Sequence, residues 1–518
     1  MDVINTISLN ANTDTAHRIY FLRDGTIQSM PLAELDRQGS MVASHLHDLG
    51  IGQGDRVGVM AANCVEWVLL DLALLKLGAV VAGFDAGRFE ASATIERYGL
   101  QRMFVEHATE GDPRVLGMET VREWASSTQP QTLTASTHAG YQSDDICAIK
   151  FTSGSTGAPK GMEVTVGGIN DSLSSVQEMF RHGHGDNILV FLRLAQLQQR
   201  YWIYSALVFG HDITIVSLDD ALPVAQAVHP TVVMGVPGFF DDVKRQLEKT
   251  ADFGSDDHVG RSQAIQALFG GRIRYLWTGS APASRATLDF YNDCGVPLYQ
   301  GYGLNETCIV AKNCPEANRI GSVGRVLPNQ TVRFDAQGML IVGSRHPIIK
   351  RYTWCAPGDN ERMFLPSGEV ITHDLGYLDE DNYLYILGRV DDIIVLGTGR
   401  NVLVGPIEER LKDHPGVHEC VLYGNGKPFL TALVSPASDA VDKASIESHL
   451  HATNATLFPE QQIRGLVIAT ERFSIDNGLL TSQFKPIRKE IYARLASEIE
   501  AVYEQGGGNI LWRGAYGQ

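Results

Sequence analysis

Short apolar runs recur along this chain, separated by stretches long enough to form helices. RVGVMA begins at Arg56, VVAGF at Val80, ICAIKF at Ile146, ITIVSL at Ile213, TVVMGVP at Thr231 and IRYLWTG at Ile273. Parallel strands need crossovers of a dozen or more residues, usually helical. Strands alternating with helices therefore restrict the chain to an α/β fold with mixed or largely parallel sheets flanked by helices. Residues 32–49 and 65–78 show helical spacing and close at Gly50 and Gly78. From about residue 320 the texture changes to short strands joined by turns, TVRFDAQGMLIVG and GEVITHDLGYLDEDNYLYILG, which predicts a small β-rich subdomain. Beyond Gly388 an Arg-Val-Asp-Asp turn leads into strands and helices on the scale of a small α+β domain. The chain after Gly506 is glycine-rich and expected to be mobile, with Trp512 available to dock.

Several classes of function are excluded early. At 518 residues the chain needs more than one core. A formal charge of −17 is the wrong sign for a nucleic-acid surface, although it leaves room for a local basic pocket. The run VLLDLALLKLGAVVAGF is broken by Asp71 and Lys76, so no membrane span is expected. The N-terminus lacks the basic and apolar segments of a signal peptide. Seven cysteines without a C-x-x-C pair fit reduced thiols in a cytoplasm.

The densest chemical signal is FTSGSTGAPKG. Thr152, Ser153, Gly154, Ser155, Thr156 and Gly157 precede Lys160. Glycines allow close backbone approach, short hydroxyls and N–H groups make a concave anion site, and the lysine adds charge. The order differs from the Walker loop, in which glycine immediately precedes lysine. Four further segments fit a nucleotide. WTGSAP ends a strand in a small-residue turn, Gly279 to Pro282. YQGYGLNET sets Tyr302 between Gly301 and Gly303, suited to stacking on a purine. Glu306 follows, a lone carboxylate suited to Mg²⁺ held jointly with substrate phosphates. Asp374 can accept from two ribose hydroxyls, and Arg389 lies just beyond it. Lys485 sits in a loop before a helix. Singly, each has a plain reading: Tyr302 as packing, Glu306 as a surface acid, Asp374 as a turn residue, Lys485 as one cation of a basic helix start.

In this order and at these separations the segments resemble the AMP-forming adenylating superfamily, in particular its long-chain acyl-CoA synthetase branch. LGIGQGDRVGVMAANCVEW, VHPTVVMGVPGFFDDV, GSVGRVLPN and GNGKPFLTALV extend the resemblance over nearly the whole chain. It implies an N-terminal adenylation domain over 1–388, a hinge at 389–392 centred on Asp391, a mobile C-terminal domain over 393–505 and a tail over 506–518. It also implies the chemistry: an acid is joined to AMP with release of pyrophosphate, then passed to an acceptor, usually coenzyme A. By the same resemblance the 152–160 loop holds the β- and γ-phosphates of ATP and Glu306 the Mg²⁺. Gly279, Ser280, Ala281, Pro282 and the Gly301–Tyr302–Gly303 run frame the nucleotide base, and Asp374 and Arg389 bind ribose. Lys485, Glu306 and Thr152 form the catalytic set, Lys485 bridging the attacking carboxylate and the α-phosphate.

The chain departs from that pattern where the acid should lie. Lys150 occupies a normally apolar position, and FLRLAQLQQRY replaces a segment resembling L-P-L-A-H, bringing Arg193, Gln196 and Gln199. Each buried CH₂ of a fatty chain contributes about 0.8 kcal/mol only against an apolar wall. Cations and glutamines suit a small or polar acid held by charge-assisted hydrogen bonds. The plainer alternatives are a Lys150–Glu163 salt bridge across the loop and a solvated glutamine face. His373 replaces the glycine of T-G-D, and Arg400 the lysine of G-G-K-N; both bear on the second half-reaction, with His373 equally readable as a solvent-facing turn residue. The leading expectation is an ATP- and Mg²⁺-dependent ligase transferring a small or polar acid to coenzyme A. The alternatives are an ATP-dependent diazotase delivering nitrite to an aryl amine, a carrier-protein acyl ligase, and a nucleotide-binding protein without catalysis.

Overall fold

The computed structural model describes residues 1–85, 89–108, 111–127, 138–151, 159–249, 258–438, 440–481 and 484–504, together with the backbone of 511–514. Each apolar run noted above is a strand of one of two large sheets. Seven described strands, in the order Tyr352–Trp354, Gly161–Thr165, Ile146–Phe151, Val80–Gly83, Arg56–Met60, Arg102–Val105 and Val115–Gly117, make the first. Nine make the second, which runs from Arg325–Val326 through Cys308–Lys312, Leu298–Leu304 and Tyr275–Thr278 to Val232–Gly235, Asn187–Val190, Asp212–Ile215, Arg18–Arg23 and Thr26–Pro31.

The helix Val65–Leu77 is apolar all round and buried along almost its whole length, as expected of a helix with no solvent face. Its core joins residues of both sheets to the helices Val166–Phe180 and Leu197–Phe209. Those helices are therefore a shared layer, and Leu197–Phe209 backs the strands that carry the nucleotide motifs. Its buried Arg200 donates to Asp71 at 2.7 Å, and Tyr204 donates to the same carboxylate at 2.6 Å. Asp71, which interrupts the apolar run in the sequence, is thus a paired core acid.

The β-rich stretch forms a four-stranded sheet of Gln330–Phe334, Met339–Ser344, Val370–Leu378 and Leu384–Arg389. A single 3₁₀ turn, Val390–Asp392, leads from it to the hairpin Ile393–Val395/Asn401–Leu403. The C-terminal unit has its own apolar clusters. Its sheet differs from the expectation of a mobile tail: the backbone of Leu511–Gly514 pairs in parallel with Ile463–Ile468 as a fourth strand. No helix among the described residues is long and apolar enough to cross a membrane.

Candidate active site

Ile146–Phe151 and Gly161–Thr165 pair antiparallel, and the 152–160 segment joins them in the chain. Thr152, Ser153, Gly154, Ser155, Thr156 and Gly157 lie outside the described residues. On the returning arm, Lys160 reaches Asp359 at 3.2 Å and lies 4.9 Å from the centre of the Tyr352 ring. The Tyr352 hydroxyl in turn donates to Glu306 at 2.5 Å. Glu306 is buried, so the surface-acid reading fails. Tyr352 thus connects the loop lysine, which Asp359 also holds, to Glu306, a link the sequence did not reveal because RYTWCAPGDNE has no phosphate-loop signature.

The second wall comes from the nine-stranded sheet. Gly279 follows the strand Tyr275–Thr278; among the described residues a Cβ there would meet only the Gly301 carbonyl, at 3.6 Å. Ser280 continues the turn at φ 70°, followed by Ala281 and Pro282. Tyr302 lies on the strand Leu298–Leu304, and its hydroxyl donates to Asp374. Burial raises the Asp374 pKa, opposed by Arg389, the Tyr302 hydroxyl and Lys485. Arg389 Nε stands 3.9 Å from the Asp374 carboxylate and its Nη2 3.6 Å from exposed Asp391. Base-facing and ribose-facing positions of the sequence reading therefore meet through one hydrogen bond.

Lys485 enters this cleft from the C-terminal unit. The preceding Phe484 has φ 60° and packs against Gly238, its Cβ 3.5 Å from where a side chain at 238 would begin. It also packs against clusters of both units, which anchors the loop. Lys485 is exposed as a residue, and its ammonium senses Arg389, Asp374 and Glu306. Burial and the Arg389 cation lower its pKa; Asp374, Glu306 and Asp392 pull it back up. The ammonium thus feels Glu306 and Asp374 together, which a lysine in an ordinary basic helix start would not.

The residues expected at the acid sort differently. Cross-strand pairing sets Lys150 opposite Met162 and Ile149 opposite Glu163. Lys150 and Glu163 thus occupy opposite faces, and Glu163 accepts from Arg56 at 2.8 Å, so the Lys150–Glu163 bridge does not form. Lys150 is buried. Burial and Arg200 lower its pKa, with Cys308 and Glu306 opposing. Arg193 is exposed and pairs with Asp85 at 3.1 Å. Gln196 caps the helix Leu197–Phe209 without a side-chain bond, and Gln199 is buried with its Oε1 unbonded. Gln198, a member of the same glutamine cluster, donates to the Cys308 sulfur at 3.8 Å. The glutamines therefore do not make a solvated face. His373 is half-buried at φ 59° and bonds the Arg362 carbonyl through Nε2 at 3.1 Å. Arg400 is exposed in the turn of its hairpin.

Comparison with known proteins agrees with this arrangement. The family model described as AMP-binding enzyme matches residues 10–343, and that of the AMP-binding enzyme C-terminal domain matches 391–507. A long-chain-fatty-acid–CoA ligase of Mycobacterium bovis is 28% identical, covering 93% of this chain and 94% of the relative. A 2-succinylbenzoate–CoA ligase of Bacillus licheniformis is 26% identical over 76% of this chain and 80% of its own. Among solved structures, o-succinylbenzoate CoA synthetase from Bacillus subtilis, in complex with its acyl-adenylate intermediate, superposes with a TM-score of 0.75 at 21% identity, covering 95% of this chain and 97% of that one. The ATP-bound RpMatB–BxBclM chimera gives 0.78 at 21% identity, covering 96% and 99%. The chain belongs to the AMP-binding enzyme family and is an adenylate-forming enzyme of the acyl-CoA synthetase-like superfamily.

Proposed function

We propose that the protein is an ATP-dependent, AMP-forming ligase that activates a small or polar acid and passes it to coenzyme A. The observation that carries the reading is Lys485, delivered from the C-terminal unit into the field of Glu306 and Asp374. A carboxylate oxygen of the acid attacks the α-phosphorus, the bond to pyrophosphate breaks, and an acyl-adenylate forms. Lys485 stabilises the charge that accumulates between the carboxylate and the α-phosphate. The thiol of coenzyme A then attacks the acyl carbon, losing its proton, and AMP leaves. The activities for which the relatives are named, ligation of fatty acids and of 2-succinylbenzoate to coenzyme A, support the acceptor.

Glu306 fits Mg²⁺: it is a hard oxygen donor beside the phosphate loop, the mode in which one carboxylate shares the ion with substrate phosphates. With the 152–160 loop it would hold an ion that supplies charge neutralisation on those phosphates. Tyr302 would lie against the base, and Asp374 with Arg389 would bind the ribose, Asp374 kept in register by the Tyr302 hydroxyl. The 390–392 turn serves as the hinge, and reduced thiols agree with a cytoplasmic setting.

A second reading is favoured by one observation, the burial of Lys150 beside Glu306, which suits a very small anion. In that reading nitrite replaces the carboxylic acid and an aryl amine replaces coenzyme A. Pyrophosphate release from Mg·ATP across carboxylic acids, and with nitrite plus an aminoaryl acid, tests both. Release driven by a carboxylic acid and completed as a thioester supports the ligase. Release only with nitrite and the amine overturns it.

A further inference from the structure

Lys312 is a lysine the activity above does not use. It ends the strand Cys308–Lys312, has no exposed surface, and its Nζ has no hydrogen-bond partner. Burying an amine without a hydrogen-bond partner is costly. Its surroundings are aromatic, with Nζ against the face of Trp277 and 5.5 Å from the centre of the Phe180 ring. Trp202, from the helix that carries the glutamines, meets Trp277 edge-on at 4.9 Å. Burial holds the amine well below the usual lysine pKa. The titratable groups that sense it are Cys314 and His182, the latter bonded through Nε2 to the Tyr275 hydroxyl.

The position of this amine is set by the sheet. Lys312 is the cross-strand partner of Gly301, so both project to the same face. Tyr302, the next residue along, projects to the opposite face and reaches Asp374. A Cβ on Gly301 would lie 3.4 Å from Lys312 Cδ and 3.4 Å from Trp277 Nε1. Gly301 thus leaves no side chain between the backbone that carries Tyr302 and the Lys312 stem and Trp277 edge.

We propose that Lys312, with the Trp277–Trp202 pair, closes the far end of the acid pocket and selects a small acid with a second anionic group, such as a dicarboxylic acid. The inference rests on the acid-ligase reading and names its substrate class. The indoles cap the length of the acid, and the amine, charged when an anion arrives, pairs with the group remote from the reacting carboxylate. Lys150 remains at the opposite end, next to Glu306.

The test is pyrophosphate exchange with pentanoate against glutarate and with benzoate against isophthalate, in the full chain and in Lys312→Met and Lys312→Arg variants. The wild type should favour the diacids. Lys312→Met should lower the diacid-to-monoacid ratio of kcat/KM by roughly 10–100-fold, with Lys312→Arg retaining part of it. Calorimetry of isophthalate and glutarate binding with a non-hydrolysable ATP analogue, in two buffers of different ionisation enthalpy, adds a readout that a merely structural lysine would not move. The wild type should take up more protons on binding than Lys312→Met, as expected when an arriving anion raises the pKa of a buried amine. Monoacids preferred in the wild type, with thioester formation intact, would overturn the role of Lys312 and leave the ligase standing. An equal fall for both classes, with no difference in proton uptake, would also overturn it. Exchange with nitrite alone would overturn the ligase reading itself.

Discussion

Two lysines carry the proposed chemistry at the scale of single residues, and both have depressed pKa values for stated reasons. Lys485 is crowded by protein and faced by Arg389. If its charge supports adenylation, the rate should fall on the alkaline side at a lower pH than an ordinary lysine would dictate. Arg389→Gln removes one of the depressing cations, so that alkaline limb should move upward in a pH–rate profile even as ribose contacts weaken. Lys485→Ala should slow pyrophosphate release by about 10²–10³-fold while ATP binding, followed by titration, stays nearly unchanged. Lys312 makes a stability prediction. The fold lowers the pKa of this lysine while the unfolded chain keeps the ordinary one, so between the two U binds more protons and stability rises with pH. Lys312→Met should therefore raise the melting temperature at neutral pH, by about 1–3 kcal/mol in stability, with the gain shrinking as pH approaches the usual lysine value. Sequence alone could not mark Lys312, because IVAKNC looks like any strand end; only pairing with Gly301 brings it to the cleft.

At the scale of elements, the hairpin of Leu298–Leu304 and Cys308–Lys312 positions most of the site. Its register shifts between Tyr302 and Gly303, and Cys308 closes the turn at φ 59°, a left-handed conformation for a residue with a side chain. A Cβ on Gly303 would stand 1.9 Å from the Cys308 carbonyl oxygen. Gly303→Ala must therefore open the hairpin. It should cost about 1–3 kcal/mol and weaken nucleotide binding, because Tyr302 and Glu306 flank the displaced backbone. Thermal melts and ATP titration read the two effects separately. The glycine-aromatic-glycine spacing was legible as a nucleotide signal, yet its structural reason, the bulge against Cys308, was not. The glutamine segment shows the converse. Gln198, not Gln196 or Gln199, donates to the Cys308 sulfur, because the rotation of the helix is set by Arg200 and Tyr204 clamping Asp71 on another helix.

At the scale of the whole molecule, the placement of Lys485 depends on contacts between the two units. Phe484 bridges their cores, and Arg472 reaches Asp242 at 2.8 Å while Arg245 shares the same carboxylate. The Arg472–Asp242 pair is half-exposed, and such pairs contribute about 0–1 kcal/mol. Asp242→Ala should then slow adenylation by no more than about fivefold, with little change in melting temperature. Raised salt should mimic it in the wild type, since screening weakens exposed pairs. Single-turnover formation of the adenylate across ionic strength measures both.

The α/β architecture and the family resemblance of the motifs were present in the sequence itself, because strand periodicity, glycine spacing and a lysine after a hydroxyl-rich loop are local properties of the chain. Tertiary structure decided the rest. Which face Lys150 occupies follows from hairpin register, and Glu163 loses it to Arg56. The strand at 511–514 follows from a free sheet edge at Ile463–Ile468, which no composition of the tail reveals. The buried amine of Lys312 becomes a feature of the acid pocket only through a partner eleven residues back on the neighbouring strand. Local backbone preferences are written residue by residue, whereas burial, register and the field at a titratable group depend on residues far apart in the chain, and those only the folded molecule brings together.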